Sequence, residues 1–220
     1  FRPEIAGVYI AKKGQSMVFV GTDGFRLSEK TVQIPSLDEG EFGFIVPSKT
    51  VSECIRILDA CDDEEVSLGF GSSQMSMNVS QIELVSKLVE GRFPQYEGLI
   101  PADFSRSFSV DKDELIQAIR LSSVFAADSV NDIKFTSLDA STISVKSSSS
   151  EIGQNDAHIK CQLTGEPGFE IAFNYTYILD GLSSLSGDVV TFSMNDSDSP
   201  AILRGTDDPD FFYLVMPIRE

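Results

Sequence analysis

A strand, a polar helix starter and a helix recur along this chain. Phe108, Val110, Leu115, Ile119 and Arg120 repeat Phe44, Val46, Val51, Ile55 and Arg56, each displaced by 64 positions. A looser third copy, Phe173, Ile178 and Leu182, repeats Val46, Val51 and Ile55 at a displacement of 127. Within each copy the apolar residues fall on one helix face, and short alternating runs follow. Repetition of one supersecondary unit restricts the fold to arrays of that unit. Two units side by side give a domain with two helices on curved antiparallel sheets, so the fold class is α+β. In the second half a strand and helix precede the run at Ile133. Nothing equivalent precedes the run at Ile5, and the repeat therefore predicts that the chain begins inside a domain.

In chain order, Glu4 to Ala11 and Ser16 to Val20 alternate in polarity and are joined at Lys12, Lys13 and Gly14, which predicts a hairpin. The next turn is Thr22, Asp23, Gly24. An Asp-Gly pair between strand-like runs marks a hairpin, because Gly24 can take a positive φ. Phe25 to Ile34 reads as the returning strand, with Phe25 and Leu27 on one face and Arg26 on the other. Pro35 to Gly40 reads as an acidic loop, Phe42 to Val46 as a strand, and Pro47 and Ser48 as the start of a helix that ends at Cys61 and Asp62. Strands are expected over Glu65 to Phe70, Met75 to Val79 and Ile82 to Leu88, then an ordered linker over Glu90 to Pro101, whose aromatic residues need burial. Further strands are expected over Ile133 to Leu138, Thr142 to Ser147, His158 to Leu163, Val189 to Met194 and Phe211 to Val215, with a short third helix running to Leu185.

At 220 residues the chain is long enough for two ordinary domains. Hydrophobic content of 41% and charged content of 23% are those of a soluble globular protein. No apolar run approaches the roughly 20 residues of a membrane span, and the chain reads as cytoplasmic. Cys54 and Cys61 would lie about 10 Å apart along a helix, too far to bridge. The formal charge of -17 argues against a wide nucleic-acid face and leaves room for a local one.

Five separated segments carry a resemblance. Gly21 to Ser28 (GTDGFRLS), Phe44 to Lys49 (FIVPSK), Ser86 to Pro101 (SKLVEGRFPQYEGLIP), Phe173 to Leu182 (FNYTYILDGL) and Tyr213 to Arg219 (YLVMPIR) are similar to the bacterial sliding clamp family, the beta subunit of DNA polymerase III. The resemblance runs the length of the chain in order. It implies the DNA clamp fold, with residues 1–105 as a middle domain lacking its first strand and helix, and residues 106–220 as the third domain. In that family three similar domains form a subunit, and two subunits close head to tail into a ring around duplex DNA. It also implies a processivity factor without catalytic activity or cofactors, which tethers polymerase subunits, the clamp loader and repair proteins through short peptide motifs.

The resemblance places an apolar peptide-binding pocket at Ile5, Thr22, Gly24, Phe25, Arg26, Leu27, Pro94, Leu99, Asn174, Tyr177, Pro200, Leu214, Met216, Pro217, Ile218 and Arg219. Met216 suits such a pocket because a thioether side chain adapts to several partners, and the prolines fix its shape in advance. Gly98 stands where many relatives carry a larger polar side chain, and Asp198 and Glu220 add carboxylates at the rim. For duplex DNA the resemblance points to Arg2, Lys49, Arg56, Lys112 and Arg120, whose contacts with phosphates would be salt-dependent and blind to sequence. Glu53 shares the face of Lys49 and Arg56, and the third helix carries no basic residue.

Enzyme readings find no support in the residues. His158, with Asp156 and Lys160 beside it, belongs to an alternating strand. The acidic runs Asp62 to Glu65 and Asp207 to Asp210 lack the alternating ligands and glycine of a calcium loop, and Gly69 and Gly71 lack the rest of a phosphate loop. No metal site is expected. Apart from the resemblance, the residues also fit an acidic protein-interaction module that encircles no DNA.

Overall fold

The computed structural model describes residues 2–34, 40–63, 65–126 and 131–219. The chain divides into two compact units. The first comprises Phe1–Gly24 and Ser28–Gln95, and the second comprises Phe25–Leu27 and Tyr96–Glu220. The division between Gln95 and Tyr96 falls ahead of Ser105, and the second unit takes in three residues from the hairpin exit. The loop expected over Pro35 to Gly40 lies, up to residue 39, outside the described residues.

The first unit opens with a short 3-10 turn, Pro3–Ile5, where a strand was expected. Pro3 fixes its own φ and has no N–H to give to a ladder, so the strand begins later. Strands β1 (Gly7–Lys13), β2 (Ser16–Thr22), β3 (Arg26–Gln33) and β4 (Phe42–Pro47) follow, then helix α1 (Ser48–Leu58) and strands β5 (Ser67–Phe70), β6 (Gln74–Val79) and β7 (Ile82–Lys87). The sheet order is β3-β2-β1-β4, with β5-β6-β7 as a separate sheet. Gly14, at φ +60°, makes the first hairpin, and Gly24, at φ +93°, makes the second. In that second turn the strand starts one residue later than the sequence pattern suggests. Phe25 stays in the turn and is 61% exposed, whereas Leu27 is buried, so the two do not share a buried face. The core of this unit gathers Ile10, Val46, Ile57, Met75, Met77 and Val79.

The second unit runs β8 (Arg106–Asp111), α2 (Lys112–Ser123), β9 (Asp132–Ser137), β10 (Thr142–Ser149), β11 (Gly153–Lys160), β12 (Gln162–Thr164), β13 (Glu170–Asn174), α3 (Tyr175–Ser184), β14 (Val189–Met194), β15 (Ala201–Gly205) and β16 (Phe211–Val215). One sheet has the order β11-β10-β9-β13 and the other contains β12-β8-β14-β15-β16, with antiparallel pairing throughout. The run expected as a single strand from His158 to Leu163 is two strands in different sheets, separated at Cys161. β15 went unread in the sequence. Its residues Ala201, Ile202 and Leu203 are all fully buried, so the strand has no polar alternation to announce it. Asp111 caps α2, its carboxylate accepting from the Glu114 N–H at 2.8 Å.

The repeat holds in burial for the second and third copies, whereas in the first only Val46 is buried and Phe44 and Val51 are half-buried. Phe108, Val110, Leu115 and Ile119 are buried, as are Phe173, Ile178 and Leu182. Ile55, the counterpart of Ile119, is 54% exposed. The physical reason lies in the partners. α2 and α3 pack against each other, whereas α1 has no neighbouring helix among the described residues of its unit. The linker aromatics are ordered as expected. Phe93 stacks on Tyr9 with ring centroids 4.7 Å apart, and Tyr96 is buried. All three cysteines are free.

Candidate functional site

The second unit concentrates several of the expected pocket residues around α3. Asn174 caps this helix, its side-chain oxygen accepting from the Thr176 N–H at 2.9 Å and from the Thr176 hydroxyl at 2.6 Å. That cap fixes where the first turn presents Tyr177. The Arg26 guanidinium lies 4.4 Å from the centroid of the Tyr177 ring and donates to Asp180 Oδ2 at 2.5 Å and to the Tyr213 hydroxyl at 3.4 Å. The Tyr213 hydroxyl in turn donates to the Tyr177 carbonyl at 2.9 Å. Gly181 leaves room for this arrangement, since a Cβ there would meet the Tyr213 ring at 2.6 Å. Phe25 lies beside the same ring, with centroids 6.3 Å apart and planes 25° from parallel.

The C-terminal segment is tied to this cluster through its backbone. Met216 N–H donates to the Phe25 carbonyl at 2.9 Å, and Ile218 N–H donates to the Ala172 carbonyl at 2.8 Å, on the outer edge of β13. A cavity of about 290 Å³ borders Ile218 and is lined also by Lys134, Glu170, Ile171, Ala172, Ser197 and Asp198. Lys134 Nζ donates to Glu170 Oε1 at 2.9 Å and holds that carboxyl below its usual range. The arrangement is an apolar, aromatic surface with one guanidinium, which can receive bulky side chains and orient a backbone. It offers no nucleophile paired with a base. His158 pairs with Asp156 on an exposed strand face.

Of the expected pocket residues, Phe25, Arg26, Tyr177 and Met216 are brought together. Leu99, in a 3-10 turn over Glu97–Leu99, is 55% exposed. Leu27, Leu214 and Pro217 are buried and back the surface, whereas Pro200 and Ile218 are half-buried and Arg219 is exposed. Ile5, Thr22, Gly24 and Pro94 belong to the first unit, where the Thr22 hydroxyl accepts from Gly24 N–H at 3.1 Å. Asp180 and Tyr213 were missed by the sequence reading. Asp180 stands three residues after Tyr177 and so on the same helix face, a signal that was available. Of the expected DNA-facing residues, Arg2, Lys49, Arg56 and Arg120 are exposed. Lys112 instead donates to the Leu185 carbonyl at 3.0 Å. The Arg56 guanidinium pairs with Glu53, whose carboxyl it draws below the usual range.

The repeated strand-helix units on antiparallel sheets define a DNA clamp fold. Solved structures agree. The beta subunit of DNA polymerase III from Thermotoga maritima superposes with a TM-score of 0.92 at 27% identity, over 99% of this chain and 58% of that one. A sliding clamp from Pseudomonas aeruginosa bound to griselimycin superposes at 0.93 with 26% identity, again over 99% of this chain and 58% of that one. The beta sliding clamp of Vibrio cholerae is 32% identical over 213 residues, 97% of this chain and 57% of the relative. The central domain of the DNA polymerase III beta subunit matches residues 1–95, and its C-terminal domain matches residues 97–219. The chain belongs to the DNA polymerase III beta subunit family. It spans a little over half the length of the curated relatives it matches.

Proposed function

We propose that this chain is part of a processivity clamp of bacterial DNA replication, which encircles duplex DNA as a ring-shaped homodimer in the cytoplasm and holds polymerases and other partners by short peptide motifs. Family membership carries the reading, and the grouping of Phe25, Arg26, Tyr177 and Met216 supports a peptide-binding role for that surface. Bulky apolar side chains of a peptide bury against Phe25, Tyr177, Leu99 and Met216. Arg26 and Asn174 position the peptide backbone. The protein is an accessory subunit and performs no catalysis of its own.

DNA is held by topology and by weak phosphate contacts from Arg2, Lys49, Arg56, Lys112 and Arg120. Arg2, Lys49 and Arg120 are the better candidates because they are exposed, while the Arg56 guanidinium pairs with Glu53 and the Lys112 ammonium is engaged by a carbonyl. A chain of the relatives' full length, loaded on circular duplex DNA, should stay bound and slide off once the circle is cut. Release from intact circles at the same rate would instead favour an acidic interaction module.

A further inference from the structure

We propose that the cavity beside Ile218 makes the surface around Tyr177 selective for a peptide that carries a basic side chain, arginine or lysine, next to its apolar anchors. The inference rests on the peptide-binding reading above and names the chemistry of the partner.

Two segments of the second unit lead from the Tyr177 surface to this cavity. The first is the tail. Met216 and Ile218 are half-buried while Pro217 between them is buried, so the two side chains lie on the same, outward side of an extended segment, about 7 Å apart. The second is β13. Ile171 and Phe173 belong to the core, so Glu170, Ala172 and Asn174 share the other face of the strand. Asn174 caps α3 and holds the turn that presents Tyr177, whereas Glu170 and Ala172 line the cavity. A peptide whose apolar residues rest on Tyr177 and Met216 therefore reaches the cavity with a neighbouring side chain.

The chemistry of the cavity selects that side chain. Its volume of about 290 Å³ is at the lower end of the roughly 300–1,000 Å³ of whole-ligand sites, so it suits a single long side chain. Ile171, Ala172 and Ile218 give it apolar walls, and its charged groups are Lys134, Glu170 and Asp198. Lys134 and Glu170 neutralise one another through their 2.9 Å bond. The Asp198 carboxylate is left over. It is exposed, and among the described residues it accepts no hydrogen bond and joins no ion pair. Asp196 fixes the turn that carries it, its Oδ1 accepting from the Asp198 N–H at 3.0 Å and the Ser199 N–H at 2.7 Å. The neighbouring cation Arg219 is exposed and does not line the cavity. Apolar walls with one unpaired carboxylate suit arginine or lysine, whose stem buries along apolar surface while its charged head stays in water. An acidic side chain would meet both Asp198 and the overall charge of -17.

The probe is a blocked peptide with an apolar pair flanked on both sides by arginine, compared by calorimetry with a twin that carries citrulline, the neutral isostere, at both positions. The arginine peptide should bind about twofold to fivefold more tightly, the range of an exposed ion pair, and the preference should shrink as salt is raised. Asp198→Asn should bring the ratio of the two affinities close to one. Asp207→Asn, which removes an equal charge from the loop between β15 and β16, should keep the ratio of the parent. Equal affinities of the two peptides for the parent, a ratio that survives Asp198→Asn, or one lost equally in Asp207→Asn would overturn the selectivity and leave the peptide site standing. Failure of both peptides to bind the parent would instead overturn the peptide-binding reading, and this inference with it.

Discussion

Arg26 and Asp180 lie 154 positions apart in sequence and meet through a 2.5 Å hydrogen bond between Nη1 and Oδ2. Asp180 is 63% exposed, so the ion pair itself is worth little, about 0–1 kcal/mol. Arg26 also covers the Tyr177 ring and reaches the Tyr213 hydroxyl, contacts that persist when the carboxylate is neutralised. Asp180→Asn should therefore cost less than about 1 kcal/mol in urea unfolding, and Arg26→Ala about 1–2 kcal/mol. Equal losses for the two variants would assign the guanidinium's contribution to the ion pair alone.

Tyr213→Phe removes the donor to the Tyr177 carbonyl and an acceptor for Arg26 while keeping the ring against Gly181. The expected loss is about 1 kcal/mol, the usual net worth of one hydrogen bond. A thermal unfolding midpoint unchanged from the parent would show that the Tyr177 carbonyl finds another partner.

Gly181→Ala places a methyl group 2.6 Å from a ring carbon of Tyr213. α3 is a regular helix at that point, so the backbone gains from alanine by about 1 kcal/mol. Overpacking costs about 1–3 kcal/mol and should win, giving a net destabilisation in denaturant unfolding. A stabilised variant would mean that the Tyr213 ring can shift, and with it the hydroxyl that Arg26 uses.

Glu170 titrates below the usual carboxylate range chiefly because Lys134 donates to it. A carboxyl whose folded value is depressed stabilises the native state above its unfolded value, and that contribution fades as pH falls through the folded value. In the Lys134→Ala variant the side-chain carbon resonance of Glu170 should titrate at a higher pH than in the parent. Because Glu170 is 55% exposed, the accompanying loss of stability should be small. An unmoved midpoint would assign the depression to Thr136 instead.

Much of the fold was legible because burial follows period. The strand-helix repeat, the two glycine hairpins and most strands follow from alternation and turn chemistry, as β1, β2, β9 and β10 illustrate. What escaped was set by tertiary context. β15 is buried on every side and shows no alternation, and β11 parts from β12 at Cys161 because the chain changes sheets there. The exposure of Ile55 could not be read from a pattern identical to that of Ile119, since the difference lies in which helix packs alongside. At the site, Arg26 and Tyr177 were nameable by resemblance. The role of Tyr213 depends on the close approach of β16 to α3, at which Gly181 hinted, whereas Asp180 shares a helix face with Tyr177 and meets Arg26 from a distant strand.

Peptide binding at the Tyr177 surface is measured most directly by calorimetry with a short peptide carrying an apolar pair near its end. Met216→Ala removes roughly three heavy atoms of contact, worth about 1–2 kcal/mol at ~25 cal/mol per Å², and should weaken binding about fivefold to thirtyfold. Arg56→Ala, on the exposed face of α1 and paired with Glu53, should leave the affinity unchanged. Equal weakening by both variants, or no heat of binding with the parent chain, would contradict the placement of the peptide site.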